Sequence, residues 1–386
     1  MITYVALCAI GAEKILGNEL KHLGYKLDGN APGRVRFVAD EDALYRSNIC
    51  LRTADRVYIE LAKYRADNFD DLFDGSYKIS WQDYLKKDSY VVVDKVRVHK
   101  SKLNSEHTIQ SMIQKSIYTK LGDIWRISNF PETGDRFDIR VYLDEDTVSI
   151  MLDTSGEALH KRGYRTDGGT APLRETTAAV LLQEMMWRRK LPLHDPFCGS
   201  GTIVIEAALY AHDIAPGLGR GFAFEGFANF NRMRFHEIRR EEASKIRTDV
   251  ECRIAGSDID PAAVERAKQN AEYACVAAGR ALQMIGSDAK IQRPEFTVSS
   301  FEDLTPSYET GLLLCNPPYG ERLGDEAEAK KLYFDMGLLF DHFANWKMGV
   351  ITSQKSFEEN LGHKASKVKA IKAGNLDTQF YMFDFL

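Results

Sequence analysis

Regular alternation of apolar strands with helices over the second half of the chain is the feature that most constrains its fold. From about residue 191 onward, seven segments read as strands, and helical segments follow four of them: "LPLHDPFCGSGT", "RIAGSDID", "PEFTVSSFEDL", "TGLLLCNPPYG", "KMGVITSQ", "VKAIKAG" and "QFYMFDF". This pattern predicts a doubly wound, Rossmann-like α/β sheet. In such sheets ligands bind at the carboxyl ends of the strands, which is where the unusual residues of this chain cluster.

Composition sets the outer limits. The chain has 386 residues, of which 44% are hydrophobic and 28% are charged, so two or three folded domains are expected and wholesale disorder is excluded. The apolar start lacks a basic segment and is too short to span a bilayer, so we expect a cytoplasmic protein without a membrane anchor. Six cysteines without a CxxC pair, and nine histidines without ligand spacing, favour reduced core residues and no metal.

The first half of the chain has a different pattern. Its opening segment alternates strands with amphipathic helices, which predicts a mixed α+β unit. Next come a strand near 89–98, a helix near 107–121 and a hairpin that turns near 144–146. A glycine-rich linker from His160 then leads to a helix near 173–188. We therefore predict three domains, with these bounds: 1–65, 66–155 and 156–386.

A local excess of positive charge stands out against the net charge of −5. In residues 89–120 six cations accompany two acids. Several of the cations surround one strand-to-helix turn, where backbone amides could share a phosphate. The alternative is a solvated helix face. The candidate nucleic-acid contacts are Lys95, Arg97, Lys100, Lys102 and Lys115.

Two segments suit a nucleoside cofactor. Gly199 and Gly201 lie at a predicted strand-to-helix turn, where glycine lets backbone amides approach a ligand. Asp258 and Asp260 end the next strand, where a carboxylate can accept both ribose hydroxyls or can cap a helix. The third glycine of a dinucleotide fingerprint is missing, and the acids come too late. S-adenosylmethionine, which has a ribose but no pyrophosphate, tolerates this spacing.

The segment Asn316-Pro317-Pro318-Tyr319 follows a buried strand. It offers an amide oxygen, a nearby backbone carbonyl and an aromatic ring, while the prolines remove backbone donors. These groups suit a planar base whose exocyclic amine is held by two acceptors and whose ring stacks on Tyr319. The alternative is a proline-rich loop with an exposed tyrosine.

The motifs "DPFCGSGT", "GSDIDPAAVERAKQNA" and "NPPYGERLG", in this order, resemble those of the class I S-adenosylmethionine-dependent RNA methyltransferases that carry a THUMP domain. The chain is most similar to the N-terminal half of the bacterial 23S ribosomal RNA guanine-N2 methyltransferases. The resemblance covers nearly all of it, from a ferredoxin-like segment through the THUMP unit to the catalytic sheet. It implies S-adenosylmethionine as cofactor and RNA, specifically 23S rRNA, as partner.

Carried over residue by residue, the resemblance assigns a site. The target base would lie against Asn316, Pro317, Pro318 and Tyr319. The cofactor would contact Thr170, Pro172, Asp195, Cys198, Gly199, Ser200, Gly201, Thr202, Asp258, Asp260 and Asn316. This chain lacks the aspartate with which relatives often bind the adenine amine, which leaves Ser300, Phe301 and Asp303 as candidates.

Other functions remain open at this point. THUMP proteins of similar layout methylate guanine N2 in tRNA. Adenine-N6 DNA methylases and protein glutamine methyltransferases share the Asn-Pro-Pro-Tyr motif but leave the first 160 residues unexplained. A non-catalytic RNA-binding or assembly factor could retain the fold, although the intact glycines and acids argue against it.

Overall fold

The computed structural model describes residues 1–165, 172–318 and 326–384. Two seven-stranded sheets dominate this part of the chain. The predicted fold class is confirmed: mixed α+β units precede a Rossmann-like sheet.

The first sheet spans both N-terminal units. Its strands, in chain order, are β1 (Ile2–Leu7), β2 (Lys26–Ala31), β3 (Arg34–Ala39), β4 (Arg56–Arg65), β5 (Tyr90–His99), β6 (Arg136–Asp144) and β7 (Thr147–Asp153). They lie in the order β2-β3-β1-β4-β7-β6-β5, and β5 and β6 pair in parallel whereas the other neighbours are antiparallel. Because β4 pairs with β7, the two units share one continuous sheet.

Helices of these units are α1 (Glu13–His22), α2 (Asp42–Cys50), α3 (Phe69–Tyr77) and α4 (Glu106–Trp125). Their apolar residues join a core with alternate side chains of the strands. In β6, for example, Phe137, Ile139 and Val141 are fully buried, as a period of two requires.

Two of these elements were not predicted. β2 carries the sequence "KLDGNA", which has no apolar alternation, and it forms because its backbone pairs with β3. α3 follows Asn68, whose side-chain oxygen accepts a hydrogen bond from the Asp71 amide and caps the helix.

The second sheet contains β8 (Leu193–Asp195), β9 (Ile254–Asp258), β10 (Glu295–Val298), β11 (Leu312–Cys315), β12 (Lys347–Thr352), β13 (Lys367–Ala373) and β14 (Leu376–Asp384). The order is β10-β9-β8-β11-β12-β14-β13. The first five strands are parallel, and β14 runs antiparallel to both of its neighbours. The strand order reverses between β8 and β11, which places a ligand crevice at their carboxyl ends.

Seven helices of the described residues accompany this sheet: α5 (Glu175–Glu184), α6 (Thr202–Ala211), α7 (Arg232–Ala243), α8 (Pro261–Gln283), α9 (Glu326–Asp335), α10 (Leu338–His342) and α11 (Phe357–Leu361). α5 is shorter at both ends than the predicted helix. α8 begins at Pro261, because proline suits the first helical position.

The loop between β1 and α1 is in direct contact with the edge of the second sheet. The backbone carbonyl of Ile10 accepts a hydrogen bond from the Lys372 amide, 2.9 Å away, on the edge strand β13. Gly11 has a φ of +95°, and a Cβ there would overlap the carbonyl oxygen of Ala370. Thr176 at the start of α5 also donates to Asp55, which immediately precedes β4, over 2.7 Å. The N-terminal units therefore pack against the second sheet through close backbone approach at its edge strand.

The segment from the end of α6 through α7 makes an aromatic contact with α2 of the N-terminal part. Tyr45 of α2 lies 5.2 Å, centroid to centroid, from the fully buried Phe224 and 5.6 Å from Phe235. These rings are core residues at the junction. Within the described ranges no helix is long and apolar enough to cross a membrane.

Candidate active site

The turn between β8 and α6 is built on two glycines with positive φ. Gly199 has a φ of +51° and Gly201 a φ of +83°. A Cβ on Gly201 would lie 3.0 Å from the Cβ of Ala267 and 3.0 Å from the ring of Phe296, whereas a Cβ on Gly199 would meet nothing within 4 Å. Residues of α8 and β10 therefore pack closely against the turn at Gly201, whereas the space next to Gly199 is open.

Neighbouring elements hold this turn in place. The Cys198 amide donates to the Ser257 carbonyl over 2.9 Å. Asn270 of α8, which is 3% exposed, donates from its side chain to the Ser200 carbonyl over 2.9 Å. A Cβ on Gly256 would lie 2.8 Å from the Cβ of Cys198, so β9 passes too close for any larger residue. Sequence reasoning missed the roles of Asn270 and Gly256, although both lie in or beside a quoted motif.

Three of the four acids predicted at the site follow β8 and β9, and their environments differ. Asp195 is 2% exposed and accepts from the Phe197 amide over 3.0 Å. Burial raises the pKa of Asp195 well above its usual value, and the negative charge of Asp258 raises it further. Asp258 accepts from the Gly199 amide over 2.9 Å and from the Asp260 amide over 3.0 Å. Each oxygen of Asp258 keeps a second lone pair for a ribose hydroxyl.

Asp260 caps a helix, which is one of the two roles that the sequence allowed. Its Oδ1 accepts from the Ala262 amide over 2.9 Å, which caps α8. Its Oδ2 lies 3.5 Å from the guanidinium of Arg266. Asp260 thus fixes the helix that follows β9, beside Asp258.

The adenine-binding candidates follow β10. Ser300 caps a short 3-10 helix, Phe301–Asp303. Phe301 is 8% exposed, and its ring lies 5.1 Å from that of Phe197 in the glycine turn. Asp303 is exposed. Phe301 therefore joins the cofactor turn to the β10 loop.

Asn316 lies directly after β11, whose four residues are all buried. Its Oδ1 is buried, and no residue that the structure describes donates a hydrogen bond to it. Such an orphan acceptor costs free energy unless a ligand supplies a donor. The Pro318 carbonyl accepts a hydrogen bond from the hydroxyl of the fully buried Tyr333 over 3.3 Å. This hydrogen bond helps to fix the position of the proline segment. Tyr319 lies outside the described residues.

His194 of β8 lies close to the site, but its side chain already contacts another residue of the protein. Its Nε2 is 2.9 Å from the Ser257 hydroxyl. Burial lowers the pKa of His194 to about 4, so the ring is neutral at physiological pH. The interaction with Ser257 makes it a buried strand residue.

Of the segment before α5, the structure describes the part from Pro172 onward. Pro172 is half-buried, three residues before the start of the helix. Thr170 lies outside the described residues.

The structure spreads the five basic candidates over β5, α4 and the turn between them. Arg97 lies 3.4 Å from Glu106, and Lys102 lies 2.9 Å from Asp67. Lys95 is half-buried, and burial lowers its pKa. The exposed Lys100 and Lys115 make no ion pair within the described part of the chain. The acids next to Arg97 and Lys102 reduce the net charge of this turn.

The features around the glycine turn fit one kind of ligand. An open turn at Gly199, a strand-end carboxylate with free lone pairs at Asp258 and an unpartnered acceptor at Asn316 surround the crevice between β8 and β11. Within the described residues, no group of three or more His, Cys, Asp or Glu side chains could hold a metal ion. This fold and site define a class I methyltransferase, and its methyl donor is S-adenosylmethionine.

Comparison with known families narrows the class. Residues 162–381 match the family described as "RMKL-like, methyltransferase domain". Residues 3–58 match the "RlmL ferredoxin-like domain", and residues 66–153 match the THUMP domain. The chain therefore belongs to the RMKL-like methyltransferase family, and the resemblance inferred from its motifs is confirmed.

Individual relatives agree with this. The chain is 37% identical over 389 residues to the "Putative RNA methyltransferase YpsC" of Bacillus subtilis, covering 99% of this chain and 95% of that protein. It is 31% identical to the "Ribosomal RNA large subunit methyltransferase K/L" of Syntrophotalea carbinolica, covering 99% of this chain but only 53% of the relative. The chain thus spans about half the length of that enzyme.

One similar protein of known structure contains a bound form of the cofactor. The protein SMU.472, described as a methyltransferase complexed with SAH, is 34% identical to this chain, with a TM-score of 0.87. The alignment covers 100% of this chain and 98% of that one. SAH, S-adenosylhomocysteine, is what S-adenosylmethionine becomes when its methyl group is transferred.

Proposed function

We propose that this protein transfers a methyl group from S-adenosylmethionine to the exocyclic N2 amine of a guanine in 23S rRNA. The observation that carries the proposal is the buried Oδ1 of Asn316 at the carboxyl end of β11, to which none of the described residues donates a hydrogen bond. β11 pairs directly with β8, whose end leads into the glycine turn. A base held at Asn316 would thus lie across the crevice from the cofactor.

The chemistry needs positioning rather than a covalent intermediate. The amine donates one hydrogen to Asn316 Oδ1 and the other to a backbone carbonyl near Pro317. Both hydrogen bonds draw the nitrogen lone pair out of ring conjugation and direct it at the methyl group. S-adenosylmethionine supplies that methyl as an electrophile. After transfer the extra proton leaves to solvent, because His194 is buried and engaged with Ser257.

Two findings support RNA as the substrate. The chain carries a THUMP domain, and the resemblance that the motifs established implies that such units bind RNA. Relatives over its whole length are named for the methylation of RNA and of large-subunit ribosomal RNA. Guanine N2 as the acceptor follows from the motif resemblance and fits the acceptor geometry at Asn316. The expected site of action is the cytoplasm, where ribosomal RNA is found.

The test is methyl transfer from radiolabelled S-adenosylmethionine to total RNA from a strain lacking the gene. The RNA is resolved into 23S, 16S and tRNA, and each fraction is digested to nucleosides. We expect label in 23S rRNA as N2-methylguanosine. Label in tRNA would contradict the substrate but keep the chemistry, and N6-methyladenosine would contradict the base. Cofactor binding without label in any RNA would contradict the proposal as a whole.

A further inference from the structure

A buried tyrosine links the proline segment after β11 to the end of β12. Tyr333 of α9 is fully buried, and its ring packs edge-on against Phe357 at a centroid distance of 5.0 Å. Its hydroxyl donates to the Pro318 carbonyl over 3.3 Å and lies 3.2 Å from the hydroxyl of Thr352, the last residue of β12. Tyr333 therefore lies between a strand of the sheet and the segment that carries Asn316.

The number of hydrogens fixes the direction of these bonds. A hydroxyl group has one hydrogen, and a carbonyl oxygen can only accept. Since Tyr333 donates its hydrogen to the Pro318 carbonyl, Thr352 must donate to Tyr333. The Thr352 oxygen in turn accepts from the Gln354 amide over 3.1 Å. The result is a directed series of hydrogen bonds that starts at the backbone after β12 and ends at Pro318, and each bond polarises the next.

The proline segment needs a side-chain support because its own backbone cannot supply one. β11 pairs in parallel with β12 as far as Cys315. Pro317 and Pro318 follow one residue later, and neither has an N–H with which to continue the ladder. The hydroxyls of Thr352 and Tyr333, both fully buried, take the place of the missing backbone bonds.

We infer that Tyr333, oriented by Thr352, is a positioning residue for the target-base pocket. Because proline fixes φ, the segment from Asn316 to Pro318 is stiff, and a hydrogen bond at the Pro318 carbonyl also limits the position of the Asn316 side chain. Tyr333 acts through this segment, by holding the two acceptors where the exocyclic amine must meet them. The inference rests on the proposed function, since it assigns Tyr333 a part in that reaction.

A second buried tyrosine offers a matched control. Tyr381 of β14 is 3% exposed, and its ring lies 5.0 Å from the same Phe357. Both tyrosines belong to one apolar cluster. Tyr381→Phe removes a hydroxyl from that cluster but leaves the bond between Tyr333 and Pro318 in place.

The first measurement is the initial rate of methyl transfer from radiolabelled S-adenosylmethionine to total RNA from the strain lacking the gene, at several RNA concentrations. Tyr333→Phe should lower kcat about 10-fold, because a small displacement of the acceptors misdirects the amine. KM for RNA and the Kd of S-adenosylhomocysteine should stay within about twofold, since the bond acts on alignment and not on binding. Tyr381→Phe should match the wild type.

Variants of Thr352 test the direction of the series. Thr352→Val should lower kcat about threefold, because Tyr333 loses the group that orients it. Thr352→Ser keeps the hydroxyl and should restore the wild-type rate. If the two hydroxyls act as a unit, Tyr333→Phe combined with Thr352→Val should be no slower than Tyr333→Phe alone, whereas independent effects would multiply to about 30-fold.

Hydrogen exchange gives a readout that needs no turnover. The peptide that contains Cys315 and Asn316 should exchange faster in Tyr333→Phe than in the wild type, and at the wild-type rate in Tyr381→Phe. Failure of the proposed function would appear in the wild type itself, as label on another nucleoside or on no RNA, and the difference in exchange would remain. Equal exchange in Tyr333→Phe and the wild type would overturn the inference whatever the protein methylates. An unchanged kcat in Tyr333→Phe, an equal loss in Tyr381→Phe, or multiplied losses in the double variant would overturn it as well.

Discussion

Asn316 keeps its side-chain oxygen buried, and within the described part of the chain no group donates a hydrogen bond to it. Around Asn316 the other polar groups are engaged. Asp260 caps a helix, His194 contacts Ser257, and Asp258 accepts two backbone amides. What is left unpaired marks where ligands bind.

Asn316→Ala should lower the rate of methyl transfer at least about 100-fold, because it removes an acceptor that the reacting amine needs. Affinity for S-adenosylhomocysteine should stay within about threefold of the wild type. Asn270→Ala is the matched control: it frees the Ser200 carbonyl in the cofactor turn, so it should weaken cofactor binding first. Steady-state kinetics and calorimetry separate the two effects. Unchanged turnover in Asn316→Ala would remove the role assigned to that side chain.

His194 should make the protein sensitive to acid. Its pKa is about 4 in the folded state because of burial, against about 6.5 when unfolded. As pH falls from 6.5 to 4, the unfolded chain takes up a proton that the native ring refuses, so stability is lost over this window. The loss amounts to up to about 3 kcal/mol.

Urea unfolding of the wild type and of His194→Gln at several pH values tests this. Glutamine can keep a hydrogen bond to Ser257 but does not titrate. The difference in free energy of unfolding between the two proteins should therefore shrink as pH falls from 6.5 to 4. A constant difference would show that His194 is not the group responsible.

At the scale of elements, the turn between β8 and α6 depends on backbone freedom and on close packing at separate positions. Gly199 needs only its positive φ, whereas Gly201 has a positive φ and also contacts Ala267 and Phe296. The two glycines look alike in the sequence. The structure distinguishes them because β10 and α8 pack under only one of them.

Gly201→Ala should therefore destabilise the protein by about 2–4 kcal/mol, since strain and overpacking add. Gly199→Ala should cost about 1–2 kcal/mol, the strain alone. Chemical denaturation of both variants measures the difference. Equal losses would mean that the contacts beneath Gly201 adjust freely.

At the scale of the whole molecule, the N-terminal units and the catalytic sheet form one packed body through Ile10, Gly11 and the edge strand β13. A hydrogen bond from Thr176 to Asp55 ties the first turn of α5 to the N-terminal sheet. The start of α5 is thus anchored by a residue of the N-terminal part of the chain.

Gly11→Ala should loosen the docking, because a Cβ at this position overlaps the Ala370 carbonyl. Hydrogen exchange should become faster in β13, above all at the Lys372 amide that bonds to Ile10. Gly24→Ala is the control: Gly24 has a similar φ of +85°, and a Cβ there meets nothing within 4 Å. Equal exchange in the two variants would show that the interface does not depend on this close approach.

Much of this protein could be predicted from residues close together in the chain. Apolar alternation set the strands of the catalytic sheet, and the glycine turn, the strand-end acids and the Asn-Pro-Pro segment marked its ligand edge. These signals are local, because a buried strand and a tight turn each need particular residues at fixed spacing. Strand β2, "KLDGNA", was not predicted because it forms only through pairing with β3.

Contacts between residues far apart were decided by the tertiary structure alone. β4 and β7 merge two predicted units into one sheet, Asn270 reaches the Ser200 carbonyl from the middle of a long helix, and Arg165 spans the starts of α5 and α6. No spacing in the sequence shows which buried polar atom finds a partner. Local sequence was enough to show which chemical groups are present and which elements carry them. Packing determined which of those groups are satisfied within the protein and which remain for a ligand, because burial and hydrogen bonding depend on neighbours that the chain brings together only when it folds.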